Sequence, residues 1–479
     1  MMEQILREIV LELFGTDVQP QVTRPEAGFG DFSTNIALQL AKPLGRNPRE
    51  IAEEIASHLR TNDEYESVAV AGPGFINLTL SDDAIRRNAT RKPAMLYDGV
   101  RYVTEYSCPN AFKELHTGHL YQTILGDVIA RLIERSGARV SRTSFGGDVG
   151  LHAAKCLYGV VQELGGEYPD KLDDAPTGAF ERAAWISRCY VAGSTAYEAD
   201  ETAKEEINRL NKVIYDFHAS GITETPLAQI YFTCRRWSYE YFDLFYETIH
   251  VDKLRYYQES TTAVKGLELV DTLRRDGKLV ESDGAVIYPG NEAERLDTRV
   301  FVTSKGIPTY ETKDLGVIFM ERDDYDFNRR FLITGTEQAA YMRTVFAVAD
   351  MVQPGIREQM THIMNGLVKF GDGTKMSSRL GNVASAVDAL EVVKAKVRGM
   401  VQDDGLVHDI ALGAVKYQFL KYRVGGDIAF DVEESVSLQG NSGPYLQYAH
   451  ARVCSILEKA NDVDKTTDLL PFDSSERQL

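Results

Sequence analysis

Cysteine is scarce in this chain: five in 479 residues, at positions 108, 156, 189, 234 and 454. They are scattered, odd in number and without C-x-x-C spacing. That argues against a disulfide framework and a structural zinc, and reads as a reduced, cytosolic protein. The histidines form no Cys/His cluster in sequence, so no metal site is expected. No apolar run approaches the roughly 20 residues that span a bilayer. The opening Met1-Met2-Glu3-Gln4-Ile5-Leu6-Arg7-Glu8 is acidic and helical in pattern, unlike a secretory signal. Basic residues are also in deficit, 53 against 71 acidic, for a net charge of −18. A broadly basic nucleic-acid surface is therefore excluded, since phosphate binding needs lysine and arginine. The requirement is local, however, and two small clusters meet it: Lys42, Arg46 and Arg49, then Arg86, Arg87, Arg91 and Lys92.

What is present is enough for about three domains at roughly 150 residues each, and a 43% hydrophobic content supports several cores. Residues 1–92 hold two helical stretches and a β-rich end over 68–80. Residues 93–382 read as an α/β domain with a Rossmann-like parallel sheet, its first half at 93–160. The stretch from about 161 to 295 is long for a connection and rich in helix formers, so it is expected to be an insertion. Strand signals return at Arg299-Val300-Phe301-Val302 and Arg330-Phe331-Leu332-Ile333-Thr334. From 383 to 479 the pattern is almost all helix. Ligand is expected at the carboxyl ends of the parallel strands.

Two motifs carry the chemistry. Val100-Arg101-Tyr102-Val103-Thr104-Glu105-Tyr106 is rich in β-formers and predicts a strand. Pro109 and Asn110 break it. His116-Thr117-Gly118-His119 follows, and Leu120, Ile124, Val128 and Leu132 then recur at helical spacing up to Gly137. Two imidazoles thus stand at a helix start, where free N–H groups and the helix dipole favour anions. Gly118 lets a nucleotide come close. Far downstream, Lys375-Met376-Ser377-Ser378-Arg379 follows Gly371-Asp372-Gly373-Thr374. That is a lysine and two hydroxyls on a glycine-rich loop. Together the motifs can neutralise a nucleoside triphosphate from two sides, as adenylation requires.

His116–His119 resembles the HIGH signature of class I aminoacyl-tRNA synthetases, and Lys375–Arg379 resembles their KMSKS signature. Within that class the chain is similar to the arginyl-tRNA synthetases over nearly its whole length. Gly28-Phe29-Gly30-Asp31-Phe32-Ser33-Thr34-Asn35 and Ala71-Gly72-Pro73-Gly74-Phe75-Ile76-Asn77 resemble that family's added N-terminal domain. Gly147-Asp148-Val149-Gly150 and Thr309-Tyr310-Glu311-Thr312-Lys313-Asp314-Leu315 are similar to its catalytic segments. Tyr448-Ala449-His450-Ala451-Arg452 resembles its anticodon-binding helices.

The resemblance implies ATP-dependent activation of L-arginine and transfer of the arginyl group to tRNA(Arg), with Mg²⁺ bound alongside the nucleotide. It implies phosphate contacts from His116, Gly118, His119, Lys375, Met376, Ser377 and Ser378. Glu105 and Asp314 would grip the arginine side chain, Tyr310 would line its pocket, and Asn110 would hold its α-amino and carboxylate end. A guanidinium is planar and always charged, so fixed carboxylates suit it. Phe29, Asn35, Tyr448 and Arg452 would meet tRNA, in a cytoplasmic monomer. The chain departs from the family pattern in places. Ser378 stands where the second KMSKS lysine is usual, and Lys113, just before the HIGH motif, is placed to supply that charge. Val149 replaces a tryptophan, and Thr336-Glu337-Gln338-Ala339 stands where many relatives have paired histidines. The resemblance also implies further helices after Leu479, so the anticodon-binding domain is expected to be incomplete. The alternative is a tRNA-binding or regulatory paralogue without catalysis.

Overall fold

The computed structural model describes residues 2–26, 28–92, 95–370, 385–401 and 403–460. The chain divides into two compact units, one up to Pro93 and one from Ala94 to Asn461.

In the first unit, helices Met2–Phe14, Ile36–Leu44, Pro48–Leu59 and Asp82–Thr90 accompany a four-stranded antiparallel sheet. Its strands run Val22–Thr23, Phe32–Thr34, Phe75–Leu80, Tyr65–Ala71 across the sheet. Alternation in Phe75–Leu80 buries Ile76, Leu78 and Leu80. Leu6, Val10, Leu40, Ile51 and Ile55 close the core from the helices. Asn47 caps its helix, accepting from the Arg49 N–H at 2.9 Å, with Pro48 in the first turn. The sequence predicted two helical stretches here, and the structure has four. It also has two strands of two and three residues, too short to show a period.

The second unit is organised by a five-stranded sheet in the order Met360–Asn365, Arg329–Gly335, Arg101–Glu105, Arg139–Gly146, Arg255–Gln258. Every pairing is parallel. The chain starts at the central strand, builds outward to one edge, then returns to build the other. Arg101–Glu105 and Arg329–Gly335 therefore flank the switch point, where loops diverge and leave a crevice.

Two expectations need correction. Strand Arg255–Gln258 lies inside the 161–295 stretch yet forms an edge of the main sheet, so that stretch is not wholly an insertion. Four residues with two tyrosines carry no readable alternation. The part that leaves the sheet is a helical bundle of Leu151–Leu164, Ala179–Ala199, Glu201–Ser220 and Pro226–Thr248. Both tryptophans, Trp185 and Trp237, meet in its core. Secondly, Arg299–Val302 is not part of the parallel sheet. It pairs antiparallel with Ala285–Tyr288, which pairs with Val280–Ser282.

Downstream, helices Ala386–Arg398, Asp404–Leu420 and Gly443–Lys459 follow. Leu390, Val415 and Phe419 share one core with Leu120 and Ile124 of helix Thr117–Arg135, so the first of these helices pack directly on the parallel-sheet fold. Among the described residues, no helix is long and apolar enough to cross a membrane.

Candidate active site

The loop between strand Arg101–Glu105 and helix Thr117–Arg135 is strained and heavily tied. Ser107, Cys108 and Phe112 all adopt left-handed backbone, with φ of 70°, 47° and 70°. Such residues cost about 1–3 kcal/mol each and persist where surroundings over-determine them. Buried hydroxyls of helix Pro226–Thr248 do so here. Ser107 Oγ lies 2.8 Å from Tyr246 Oη, the Phe112 N–H donates to Ser238 Oγ at 3.0 Å, and the Leu115 N–H donates to Tyr241 Oη at 3.2 Å.

The loop delivers His116 to the helix N-cap. The His119 N–H donates to His116 Nδ1 at 3.3 Å, and the His116 N–H donates to His119 Nδ1 at 3.2 Å. This is a reciprocal cap made of two imidazoles. With each Nδ1 accepting, each neutral ring carries its proton on Nε2. The rings stack with centroids 3.7 Å apart. Protein packed around them depresses both pKa values, His119 further than His116, and the Lys113 charge adds to this. The pair is thus a neutral donor set at a helix start. Gly118 has a second use beyond close approach of ligand. A Cβ there would lie 2.9 Å from His116 Cε1, so the stack itself needs glycine.

Two cavities meet at the carboxyl ends of the central strands. The first, about 460 Å³, is lined by His116, Gly118, His119, Gln122, Glu337, Asn365 and Val368. The second, about 390 Å³, is lined by Glu105, Gly147, Glu259, Tyr310, Asp314 and Tyr341. Cys108, Asn110, Thr334 and Gln338 line both. A molecule in one can react with a molecule in the other. A larger concavity of about 920 Å³ opens on the helical bundle beside Arg182 and Trp237, away from these groups.

The acids of the second cavity are buried. Tyr341 donates its hydroxyl to Asp314 Oδ2. Burial raises the Asp314 carboxyl to about 7. Glu105, 1% exposed, is paired with the guanidinium of Arg330. Burial pushes its carboxyl up, and Arg330 opposes that. Lys313 Nζ reaches Glu259 Oε2 at 2.6 Å and Tyr215 Oη at 3.2 Å. Burial disfavours the ammonium, yet Glu259 holds it above its ordinary pKa. Asn110 Oδ1 accepts from the Gly147 N–H at 3.0 Å, and a Cβ on Gly147 would lie 2.6 Å from that oxygen.

These features match known proteins. The family model described as "tRNA synthetases class I (R), catalytic domain" matches residues 87–432, and "Arginyl tRNA synthetase N terminal domain" matches residues 1–80. The chain belongs to the arginyl-tRNA synthetase family. The arginine–tRNA ligase of Fusobacterium nucleatum is 29% identical over 454 residues, covering 91% of this chain and 76% of that protein. That of Frankia casuarinae is 30% identical over 496 residues, covering 96% and 81%. The Thermus thermophilus arginyl-tRNA synthetase structure superposes with a TM-score of 0.76 at 23% identity, covering all of this chain and 84% of that one. That likeness carries the fold.

The family motifs are now located. His116, Gly118, His119 and Asn110 line the first cavity; Glu105, Asn110, Tyr310 and Asp314 line the second. Tyr310 and Asp314 share one face of helix Tyr310–Tyr325, as their four-residue spacing predicted. Lys375, Met376, Ser377 and Ser378 lie outside the described residues. The residues flanking them are at the site: Val368 lines the first cavity, Ser385 bridges His116, and the Ala386 N–H donates to Leu115 O at 2.7 Å. Lys113 lines neither cavity; its Nζ sits 4.2 Å from the centroid of the Tyr190 ring. Glu105 differs from expectation in already holding a guanidinium, because a buried carboxylate needs a standing partner. Glu259, Arg330 and Tyr341 were missed: single residues on separate elements, with no motif around them.

In the N-terminal unit, Phe29 is exposed between Gly28 and Gly30. Asn35 Oδ1 accepts from Gln39 at 2.9 Å. Among the basic clusters, Arg46 is paired with Glu54, Arg86 with Asp83 and Arg87 with Glu64. Tyr448 and Arg452 lie on the exposed helix Gly443–Lys459, the guanidinium donating to the Tyr448 hydroxyl at 3.3 Å. Folding also brings His250 to the adjacent pair His408 and Asp409. His250, His408 and Asp409 bring ligand-type atoms within 4.8 Å of one another, and His408 Nε2 lies 2.8 Å from Thr248 O.

Proposed function

We propose that this chain activates L-arginine with ATP and transfers the arginyl group to tRNA(Arg), with ATP in the His116–His119 cavity and arginine in the Glu105–Asp314 cavity. The observation that carries this reading is the shared edge of the two cavities. That shared edge supports the reading, because the carboxylate of an amino acid bound among the acids would then meet a triphosphate bound at the helix N-terminus.

The chemistry asks little proton transfer of the protein. The arginine carboxylate attacks the α-phosphate, and pyrophosphate leaves. Charge grows on the phosphate oxygens, so positioning and fixed donors do the work. The Nε2–H groups of His116 and His119 supply two such donors. Lys375 holds the leaving phosphates, with Met376, Ser377 and Ser378 next to it in sequence, and Lys113 adds charge near the histidines. Asn110 orients the α-amino and carboxylate end. Asp314 and Glu105 receive the guanidinium under Tyr310. Mg²⁺ enters with the nucleotide. Glu337 is the one carboxylate among the described residues lining that cavity, so the donor set leaves the ion's other ligands to the triphosphate and water.

Residues 1–92 take the tRNA through Phe29 and Asn35. Residues 383–479 take the anticodon side through Tyr448 and Arg452. The chain works as a cytoplasmic monomer. A tRNA-binding paralogue without catalysis has nothing in this site to favour it. ATP–pyrophosphate exchange, assayed with each of the twenty amino acids and with tRNA(Arg), tests the whole reading. Exchange dependent on arginine is expected; exchange with another amino acid, or none, would overturn it.

A further inference from the structure

Arg330 places a guanidinium of the protein's own against the carboxylates of the arginine cavity. Its side chain is buried between two acids. Nε donates to Glu321 Oε2 at 2.6 Å, and the terminal Nη2 donates to Glu105 Oε2. Glu321 is fixed in turn by Thr143, whose Oγ1 donates to Oε1 at 2.5 Å. The groups come from three adjacent strands and the helix over them. Glu105 and Thr143 are register partners, Arg330 sits one strand away, and Glu321 is on helix Tyr310–Tyr325, which also carries Asp314. Glu105 spends one oxygen on Arg330. The other, Oε1, lies 3.7 Å from the Cys108 thiol, where the two cavities join.

The charges in and behind the cavity do not cancel. Glu105, Glu321, Asp314 and Glu259 face Arg330 and Lys313. Four acids stand against two cations, and a cationic ligand favours the ionised form of each acid it meets. Without Arg330, Glu105 would be a buried acid beside Glu321 and Asp314, and would keep its proton. A protonated acid is a poor partner for a guanidinium.

We propose that Arg330, anchored by Glu321, is a positioning residue for substrate choice: it draws the Glu105 carboxyl toward the carboxylate and holds it in one orientation, so that Glu105 and Asp314 together receive the guanidinium of arginine. This rests on the reading that arginine occupies the second cavity.

The test is the pH dependence of the arginine KM, from pyrophosphate exchange with tRNA(Arg) present, in two variants that move Glu105 in opposite directions. Glu321→Gln keeps one acceptor, its amide oxygen, for the Arg330 Nε–H, lets its NH2 donate to the Thr143 hydroxyl, and removes the competing charge. Arg330 then acts on Glu105 alone, and the KM profile moves to lower pH. The double variant Arg330→Leu/Glu321→Leu removes one charge of each sign and refills the space with apolar groups, a change buried ion pairs often tolerate. Its profile moves to higher pH, and KM at pH 7 rises roughly tenfold for every pH unit by which the profile is displaced. The KM for ATP stays at the parent value in both. Profiles that coincide with the parent, or that move the same way, would overturn the proposal. Should the double variant not fold, the near-isosteric Glu321→Gln decides alone, by moving to lower pH or not. A parent with no arginine-dependent exchange at any pH would instead sink the functional reading beneath it, and this inference with it.

Discussion

The phosphate end and the guanidinium end of the site share Cys108, Asn110, Thr334 and Gln338, yet they are built from different materials. The phosphate end is local and neutral: two histidines three residues apart, backbone N–H groups and a glycine. The guanidinium end is non-local and charged, with four acids and two bases from two strands and two helices in a buried network. The first can be copied as a short sequence. The second exists only once the sheet has formed. The difference follows from the ligands. A triphosphate brings its own charge and counterion, and needs donors aimed at it. A guanidinium buried in protein needs a standing negative charge, which the fold must stabilise before the ligand arrives.

The largest expected effect separates the two ends. His119→Ala removes one fixed donor to developing charge, typically about 10²–10³ in rate. The loss should fall on kcat for pyrophosphate exchange, with the arginine KM within a few-fold of the parent. An arginine KM that climbed as far as kcat fell would show that the ends are one coupled unit.

Asp314→Asn attacks the other end. Truncating one partner of a buried charge pair costs about 2–5 kcal/mol, which is roughly thirtyfold or more in kcat/KM for arginine. The asparagine still accepts from Tyr341, so the cavity keeps its shape and the KM for ATP should not move. Unchanged arginine kinetics in steady-state exchange would remove Asp314 from the pocket.

This split also explains what the sequence made legible. Helix Thr117–Arg135 was readable because its apolar positions repeat and its start carries punctuation. The parallel sheet was readable in outline because its strands alternate with helices. Glu105 and Asp314 were assigned through the motifs around them, but their state was not. Nothing near Arg330 in sequence marks it as the partner of Glu105, 225 positions away. Glu259 and Lys313 are likewise ordinary residues until 54 positions of chain fold back. Arg255–Gln258 was misplaced because an edge strand of four residues is defined by its neighbour rather than by its own pattern.

Gly118→Ala is a finer probe of the phosphate end. Its Cβ would press on His116 Cε1 at 2.9 Å and Nδ1 at 3.0 Å. The ring must tilt, which loosens the stack while the helix keeps its backbone. Small displacements of positioning groups cost rate steeply, so a roughly tenfold fall in kcat is expected, with the melting temperature nearly unchanged. Wild-type exchange in this variant would mean the stacked geometry is incidental.

The smallest effect needs no mutation. Burial raises the Asp314 carboxyl from an ordinary 3.8 to about 7, and pushes Glu105 in the same direction against the pull of Arg330. A guanidinium needs the ionised acid, so the arginine KM should rise as pH falls below about 7, by a few-fold between pH 8 and pH 6.5, the limit for a single titrating acid being about tenfold per pH unit. Stability runs the other way. A carboxyl whose pKa is higher folded than unfolded binds more protons in the native state between about pH 4 and 7, so the empty enzyme loses stability as pH rises through that window. Added arginine should offset that loss, and its thermal stabilisation should grow with pH. The histidines predict a contrast within the same experiment. Their pKa values are depressed below the ordinary imidazole value, so both rings lose charge as pH rises above neutral and the KM for ATP should change far less than that for arginine between pH 7 and 8.5. A common pH dependence for both substrates would mean that the two ends titrate together, and that the division between neutral donors and buried charges does not hold in solution.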